Sequence, residues 1–460
     1  MATAKTIYRC QQCGHESLKW LGKCPQCGTW GSLTEEVSQT EAKPTAFSRS
    51  SLKQGDSSPV RLSSVDVTES ERIPTGITEL DRVLGGGFVP ASVVLLAGEP
   101  GVGKSTLVLQ SLEAIGSAEK PVLYVSGEES MRQVKLRADR LSIEGDGIVT
   151  AMETDAETII RTASTGEFPL LAVDSVQTAA DSLLDSLPGS ISQVRQVANR
   201  LLTYAKENNV CVLLVGHVTK EGAVAGPRVL EHIVDAVLLF EGDGSYPYRV
   251  LRAIKNRFGS TNEVGIFEMK ASGLAEVANP SALFLAERPD DAAGSAVVVT
   301  VEGTRPLLVE VQALATHSGL SSPRRTAIGV DRQRISMLAA ILEKKAGIET
   351  GDHDLYVNIA GGFKISEPAC DLGVCAALAS SYIDRPFPRD LVAIGEIGLT
   401  GEVRSVPRLA DRLREARRLG FSQALIPSAS LELLKQELGD DLPLAVRPVP
   451  NVAKMMDEIF

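Results

Sequence analysis

The sequence predicts an α/β protein: a parallel sheet with crossover helices, a four-cysteine ribbon in front of it and a further domain of strands and a helix behind it. Two observations carry the centre. Short apolar runs at residues 93–96, 122–125, 170–173 and 210–215 alternate with helix-compatible stretches, as strands buried on both faces and joined by helices do. A glycine-rich loop follows the first of these runs directly. The third observation, a change of pattern from about Ala296, sets off the last domain.

The first element spans residues 8–30. Cys10, Cys13, Cys24 and Cys27 have the spacing C-x2-C-x10-C-x2-C, with Gly14 and Gly28 after the pairs. Each pair forms a tight knuckle aiming two thiolates at one ion, and two knuckles complete a tetrahedral Zn2+ site. Disulfides are the alternative, which a reducing cytosol disfavours. His15 is surplus beside four thiolates. Lys5, Arg9, Lys19 and Lys23 make the ribbon locally basic, which fits nucleic-acid contact and partner docking equally. The ribbon is assigned to residues 1–33. Residues 34–60, polar and without apolar periodicity, read as a flexible linker.

The next domain is assigned to residues 61–283. Ile73, Ile77, Leu80, Leu84 and a Gly-Gly-Gly-Phe turn lead into the strand at 93–96. Gly98, Glu99, Pro100, Gly101, Val102, Gly103, Lys104, Ser105 and Thr106 then contain G-x-x-x-x-G-K-[ST]. Glycines let such a loop wrap a polyphosphate, whose charge is met by backbone N–H groups at the following helix N-terminus. Lys104 would reach the β/γ-phosphates and Ser105 would hold Mg2+. The motif predicts nucleoside triphosphate binding.

Strand ends supply the remaining chemistry, because ligands of open parallel sheets gather at carboxyl ends. Asp174 stands where a carboxylate would act on Mg2+, and Glu128, with Glu129 as its rival, where one would orient and deprotonate water. His217 ends the fourth strand, either sensing the γ-phosphate or buried as a hydrogen-bonded core histidine. Lys255 and Arg257 follow a strand-like stretch at 249–254. Their spacing directs both cations to one side of a strand, which fits delivery to a phosphate, here or on a neighbouring subunit, and equally a solvated basic turn. Cys211, Cys370 and Cys375 lie among apolar residues and read as core.

Composition narrows the classes. A chain of 460 residues with 43% hydrophobic content can bury sizeable cores in two to four domains. The net charge of −11 excludes a uniformly basic nucleic-acid coat, and 4% aromatic residues argue against extensive base stacking. No apolar run approaches a membrane span, and MATAKTIYRC lacks a signal-peptide core. A cytoplasmic location without membrane contact is expected.

The stretches ITELDRVLGGG, GEPGVGKST and LLAVDS, with a glutamate ending the strand between the last two, resemble the RecA-like ATPases. With the ribbon in front and Lys255-Asn256-Arg257-Phe258-Gly259 behind, nearly the whole chain resembles the bacterial RadA (Sms) family of DNA-repair ATPases. The resemblance implies a homohexameric ring related to replicative helicases, with ATP at subunit interfaces. Glu128 would activate water, and Lys255 and Arg257 would act in trans. It also implies single-stranded and branched DNA and a RecA-type recombinase as partners, with branch migration of recombination intermediates. DNA-contacting loops would correspond to about residues 177–194 and 218–229. The second, with Lys220 and Arg228, is the expected contact, since the first is acidic through Asp181 and Asp185.

Residues 284–460 resemble the α+β proteolytic domain of Lon, with strands expected at 297–301 and 307–311 and a helix at 332–345. A Lon-type protease needs a serine activated by a lysine. Ala369 and Ala410 occupy those positions, so an active peptidase is not expected, and Cys370 has no evident base. Arg408, Arg412, Arg414, Arg417 and Arg418 flank a core-facing stripe of Leu409, Leu413 and Ala416. With Arg324, Arg325, Lys344 and Lys345 they read as a solvated face or a phosphate-contacting one. Three readings remain: a DNA-dependent ATPase motor, an ATP-dependent protease opposed by the two alanines, and a nucleotide-gated adaptor that does not move DNA.

Overall fold

The structure is a computed structural model describing residues 5–17, 19–38, 72–217, 227–242, 247–286, 288–289, 291–319, 322–362, 364–439 and 441–460. The chain splits into two compact units. One comprises Met1–Gly242, Arg249–Thr261 and Phe267–Glu276, and the other Asp243–Tyr248, Asn262–Ile266 and Val277–Phe460. No helix among the described residues is long and apolar enough to cross a membrane.

The ribbon is an antiparallel sheet of β1 (Lys5–Cys10), β2 (Glu16–Ser17) and β3 (Leu33–Ser38), in the order β2-β1-β3. Strand β3 runs past residue 33 because Glu35, Glu36, Val37 and Ser38 pair in register with Tyr8, Ile7, Thr6 and Lys5. Polar composition pointed to linker there, whereas backbone pairing makes it strand. The rest of the expected linker, from residue 39 to 60, lies outside the described residues.

In the first unit the parallel strands are β4 (Val93–Gly98), β5 (Val122–Ser126), β6 (Ile148–Met152), β7 (Leu170–Asp174), β8 (Cys211–His217) and β9 (Ala236–Glu241). They lie in the order β9-β4-β8-β7-β5-β6. Strands β10 (Tyr248–Asn256), β11 (Val264–Lys270) and β12 (Gly273–Glu276) extend the sheet beyond β9, with β9/β10 and β11/β12 antiparallel. Every residue of β4 is buried, because alternate side chains enter different cores. Val94 and Leu96 pack with Leu80, Leu107 and Leu112. Val93, Leu95 and Ala97 pack with Val194, Val197 and Leu201. Helices Lys104–Ile115 and Ile191–Asn208 thus cover opposite faces of one sheet.

The second unit holds a mixed sheet. Its strands are β13 (Ser295–Glu302), β14 (Arg305–His317), β15 (Arg325–Ile328), β16 (His353–Ile359), β17 (Leu391–Ala393), β20 (Gln423–Pro427) and β21 (Ala445–Val449). Their order is β15-β16-β14-β13-β17-β20-β21, and a separate pair joins β18 (Glu396–Ile397) to β19 (Val403–Arg404). The expected strands at 297–301 and 307–311 are longer, as β13 and β14. The expected helix is Arg332–Ala346, capped by the Asp331 side chain accepting from Arg334 N–H. Helix Asp371–Ile383 is buried from Asp371 to Ser380.

Candidate functional site

Parallel register assembles the nucleotide edge. Gly98 pairs with His217 across β4/β8, Asp174 with Val215 across β7/β8, and Ser126 with Asp174 across β5/β7. The loop after β4, the glutamates after β5, Asp174 and His217 therefore emerge side by side.

The loop's glycines are dictated by space and backbone. A Cβ on Gly98 would lie 2.4 Å from Phe240 O, and one on Gly103 2.7 Å from Met269 Cε, where φ is also +114°. Gly103 precedes helix Lys104–Ile115, whose first turn has no side-chain cap. Its N–H groups are therefore available to an anion. Lys104 is 4% exposed. Its ammonium donates to Gly98 O (2.9 Å), Glu99 O (3.0 Å) and Nδ1 of His217 (3.0 Å). Burial depresses its pKa to about 8, against the pull of Asp174 and Glu128.

His217 connects this lysine to the glutamate. With Nδ1 accepting from Lys104, Nε2 carries the ring proton, 3.4 Å from Glu128 Oε1. The same carboxylate oxygen accepts from the Ser175 hydroxyl at 2.5 Å. Glu129 pairs instead with Arg137, and its amide bonds Ser126 Oγ. Asp174 accepts from the Tyr124 hydroxyl at 3.0 Å. Burial, with the Asp174 charge beside it, pushes that hydroxyl's pKa up, so Tyr124 stays a donor. Ser105 is half-buried and Thr106 buried in the helix's first turn. The donor set fits Mg2+, which takes oxygen ligands and is bound through one or two carboxylates plus phosphates. Ser175 and Tyr124 were not singled out in the sequence, although Ser175 directly follows the expected carboxylate.

Lys255 and Arg257 are not brought to Lys104. Lys255 Nζ donates to Glu231 O (2.5 Å) and Val234 O (2.7 Å), and Arg257 Nη1 to Asp235 Oδ1 (3.1 Å). Asp235 Oδ2 accepts from Val93 N–H (3.0 Å), so this cluster sits at the amino end of β4, opposite its phosphate-loop end. Register shifts between Ala253 and Lys255, and β10 ends at Asn256. Simple alternation along one strand does not describe the pair. Convergence on the 231–235 loop does. Asn256 and Phe258 are tied to the glycine turn through Leu84 O and Arg72.

In the ribbon the four cysteine sulfurs lie within 4.8 Å of one another. Cys10 and Cys27 are 3.6 Å apart, Cys13 and Cys24 3.5 Å. Gly14 N–H and Gly28 N–H close the knuckles onto Cys10 O and Cys24 O. Burial opposes ionisation of Cys10, but hydrogen bonding to Ser32 and to the Gln12 and Cys13 backbone brings it to about 6. Burial pushes Cys13 to about 12, and the neighbouring thiols add to this. Such a set fits a divalent ion whose charge ionises the remaining thiols.

The expected DNA residues separate. Lys220 lies outside the described residues, as does the Arg228 side chain. In the loop after β7, Asp181 is fully buried and paired with Arg200 at 3.2 Å. Asp181 thus faces inward, whereas the loop exposes Asp185 together with Leu183 and Leu187. Arg324, Lys344 and Lys345 are exposed, whereas Arg325 donates to His353 O and Thr350 O. Arg412 corrects the solvated-face reading. It is fully buried, paired with Glu367, and donates to Val299 O (2.6 Å) and Pro407 O (3.0 Å). Arg408 and Arg414 share Asp411, Arg418 pairs with Glu415, and Arg417 bonds Pro443 O.

Ala369 and Ala410 are buried methyls. A cavity of about 220 Å³ beside Ala369 is lined in part by Arg334, Glu367, Cys370 and Asp371. Arg334 is paired with Asp371, and burial pushes the Cys370 thiol well up, which removes its nucleophilic form.

Three family models match the chain: the KaiC ATPase over residues 73–279, the rubredoxin metal binding domain over residues 8–35, and subunit ChlI of Mg-chelatase over residues 318–430. Proteins named DNA repair protein RadA are similar over nearly the whole length. The one from Bacillus subtilis is 47% identical over 459 residues, covering 99% of each chain. That from Halalkalibacterium halodurans is 49% identical over 433 residues, 94% of each. That from Pseudomonas aeruginosa is 49% identical over 427 residues, 93% of this chain and 94% of its own. Among solved structures, the RadB recombinase is similar at 24% identity and a TM-score of 0.36, covering 45% of this chain and 99% of that one.

Proposed function

The chain belongs to the RadA family of DNA repair proteins, with an N-terminal zinc ribbon, a RecA-like ATPase core and a C-terminal Lon-like domain, and from this we propose that it is a DNA-stimulated ATPase acting in recombinational repair. The reading is of a homohexameric, cytoplasmic motor that moves branched intermediates made by a RecA-type recombinase. The observation that carries it is the shared edge of Lys104, Glu128, Asp174 and His217. There Lys104 and the uncapped helix N-terminus bind the phosphates, and Ser105 and Asp174 hold Mg2+. Glu128, fixed by Ser175, orients and deprotonates the attacking water. Held by Ser105 and Asp174, Mg2+ would supply neutralisation of the phosphate charge. Lys255 and Arg257, at the far end of β4 from their own Lys104, serve a neighbour's nucleotide.

Single-stranded and branched DNA are the proposed substrates, bound through the loop after β8 that carries Lys220 and Arg228. The C-terminal domain, with alanine at both dyad positions, is read as lacking peptidase activity and as serving either as a scaffold or, through Arg324, Arg325, Lys344 and Lys345, as a DNA platform.

The test is ATP hydrolysis by the purified chain with and without single-stranded DNA, at two salt concentrations. Several-fold stimulation that fades with salt and is absent in Lys104→Ala is the expected result. Hydrolysis indifferent to DNA would overturn the motor and leave a nucleotide-gated adaptor.

A further inference from the structure

Among the described residues, away from the nucleotide edge and the ribbon, one cluster of side chains has metal-ligand chemistry. Strand β14 continues past β13: Ser295, the first residue of β13, pairs with Gln312, and Ala313 N–H still reaches Gly294 O, so residues 314–317 of β14 run on beside β16 beyond the end of β13. At the end of this overhang His317 stands directly opposite His353. Asp352 precedes His353 and places one carboxylate oxygen against each ring: Oδ1 is 2.6 Å from His353 Nδ1 and Oδ2 3.3 Å from His317 Nδ1.

We propose that His317, Asp352 and His353 form a second metal site, for a divalent transition ion of the Zn2+ class. The three ligand atoms lie within 4.8 Å of one another, so bonds of about 2.0–2.2 Å to one ion need only side-chain rotation. Two imidazoles select against Mg2+ and Ca2+, which take oxygen ligands, and suit Zn2+, Cu2+ or Ni2+. Three protein ligands leave a coordination position open to water or to a donor from another molecule.

The backbone beneath the cluster is already held. Ser318 N–H donates to Asp352 O (2.8 Å), His353 N–H to Thr350 O (3.2 Å), and Arg325 donates to the carbonyls of Thr350 and His353. The His353 ring lies 5.1 Å from that of Tyr382. His353 is thus a seated ligand, whereas His317, three-quarters exposed, is the one that closes onto the ion. The bound ion clips the end of β14 to the start of β16.

The test uses the full-length, untagged chain with its ribbon already zinc-loaded. Calorimetric titration with Zn2+ should register one further equivalent, and Cu2+ in its place should show nitrogen hyperfine structure in its electron paramagnetic resonance spectrum. His317→Ala should weaken that equivalent by about 100-fold or more, and Asp352→Asn should weaken it too. Both positions are exposed enough for ATP hydrolysis and circular dichroism to match the parent chain. Absence of a further equivalent, or one that survives His317→Ala and Asp352→Asn together, overturns the proposal.

Discussion

The ammonium of Lys104 donates to Nδ1 of His217 at 3.0 Å, so the phosphate-loop lysine and the residue ending β8 are directly bonded. A triphosphate replaces these self-contacts with phosphate oxygens. It also changes the lysine's proton affinity, because an anion favours the charged form that burial disfavours.

That exchange predicts a pH dependence. Burial depresses Lys104 from 10.5 to about 8. Above about pH 8 the lysine is largely neutral and must take up a proton to bind phosphate, so affinity falls by up to about tenfold per pH unit. Well below pH 8 no uptake is required. In the same window this group's stability contribution has the opposite sign: between about 8 and 10.5 the unfolded chain holds a proton that the folded one lacks, so stability rises with pH. Calorimetric nucleotide binding in buffers of different ionisation enthalpy should show proton uptake near pH 9 and almost none near pH 7. Equal uptake at both would contradict the burial argument.

Glu128→Gln should lower turnover by about 10² to 10⁴, the range for loss of a positioned base, while nucleotide affinity stays near that of the parent. Ser175→Ala removes the hydroxyl that holds the carboxylate and should cost about tenfold, the worth of a hydrogen bond to a charged group. Glu129→Gln breaks the pair with Arg137 and should leave turnover within a few-fold. Steady-state hydrolysis beside equilibrium binding separates these outcomes, and a Glu129→Gln defect exceeding that of Glu128→Gln would reverse the assignment.

Trans action by Arg257 predicts complementation. Mixed with Lys104→Ala chains, Arg257→Ala chains should regain hydrolysis, because an interface pairing an intact phosphate loop with an intact Arg257 is complete. Neither variant alone should hydrolyse ATP at more than about a hundredth of the parent rate. A mixture no better than its parts would favour a purely structural role, tying Asp235 to the start of β4.

Much of the nucleotide edge was legible in the sequence because its residues sit at the ends of strands recognisable as apolar runs, and parallel register brings strand ends together. Gly98, Asp174 and His217 needed no long-range knowledge beyond that. Partners set by tertiary packing were not legible. Met269 crowding Gly103 comes from β11, and the antiparallel strands beyond β9 carry no motif. Lys255 and Arg257 stood out as cations, but Asp235 and the carbonyls that hold them lie about 20 residues earlier in a loop without a signature. His317 and His353 become neighbours only through the β14/β16 register. Arg412 looked like its neighbours in an arginine-rich helix. Helical periodicity set it beside the buried stripe, and only a carboxylate 45 residues away could satisfy it inside.

That carboxylate, Glu367, makes the strongest stability prediction. Glu367 and Arg412 each lie two residues from the alanines at the Lon dyad positions, so an ion pair between a fully buried arginine and a partly buried glutamate occupies the neighbourhood where the dyad would stand. Glu367 Oε2 also accepts from Val301 N–H (2.8 Å) and the Thr300 hydroxyl (3.1 Å), and Arg412 reaches Val299 O. The pair therefore ties helix Leu409–Arg418 to β13. Arg412→Met leaves Glu367 charged without its cation and should destabilise the C-terminal unit by about 3–5 kcal/mol, a loss far larger than for a surface ion pair. Glu367→Gln on the same background removes the stranded charge and keeps an oxygen to accept from Val301, so the double variant should regain most of the loss. Urea unfolding followed by circular dichroism on the four chains of this cycle measures the coupling. Additive effects would mean that Arg412 acts through its carbonyl contacts alone.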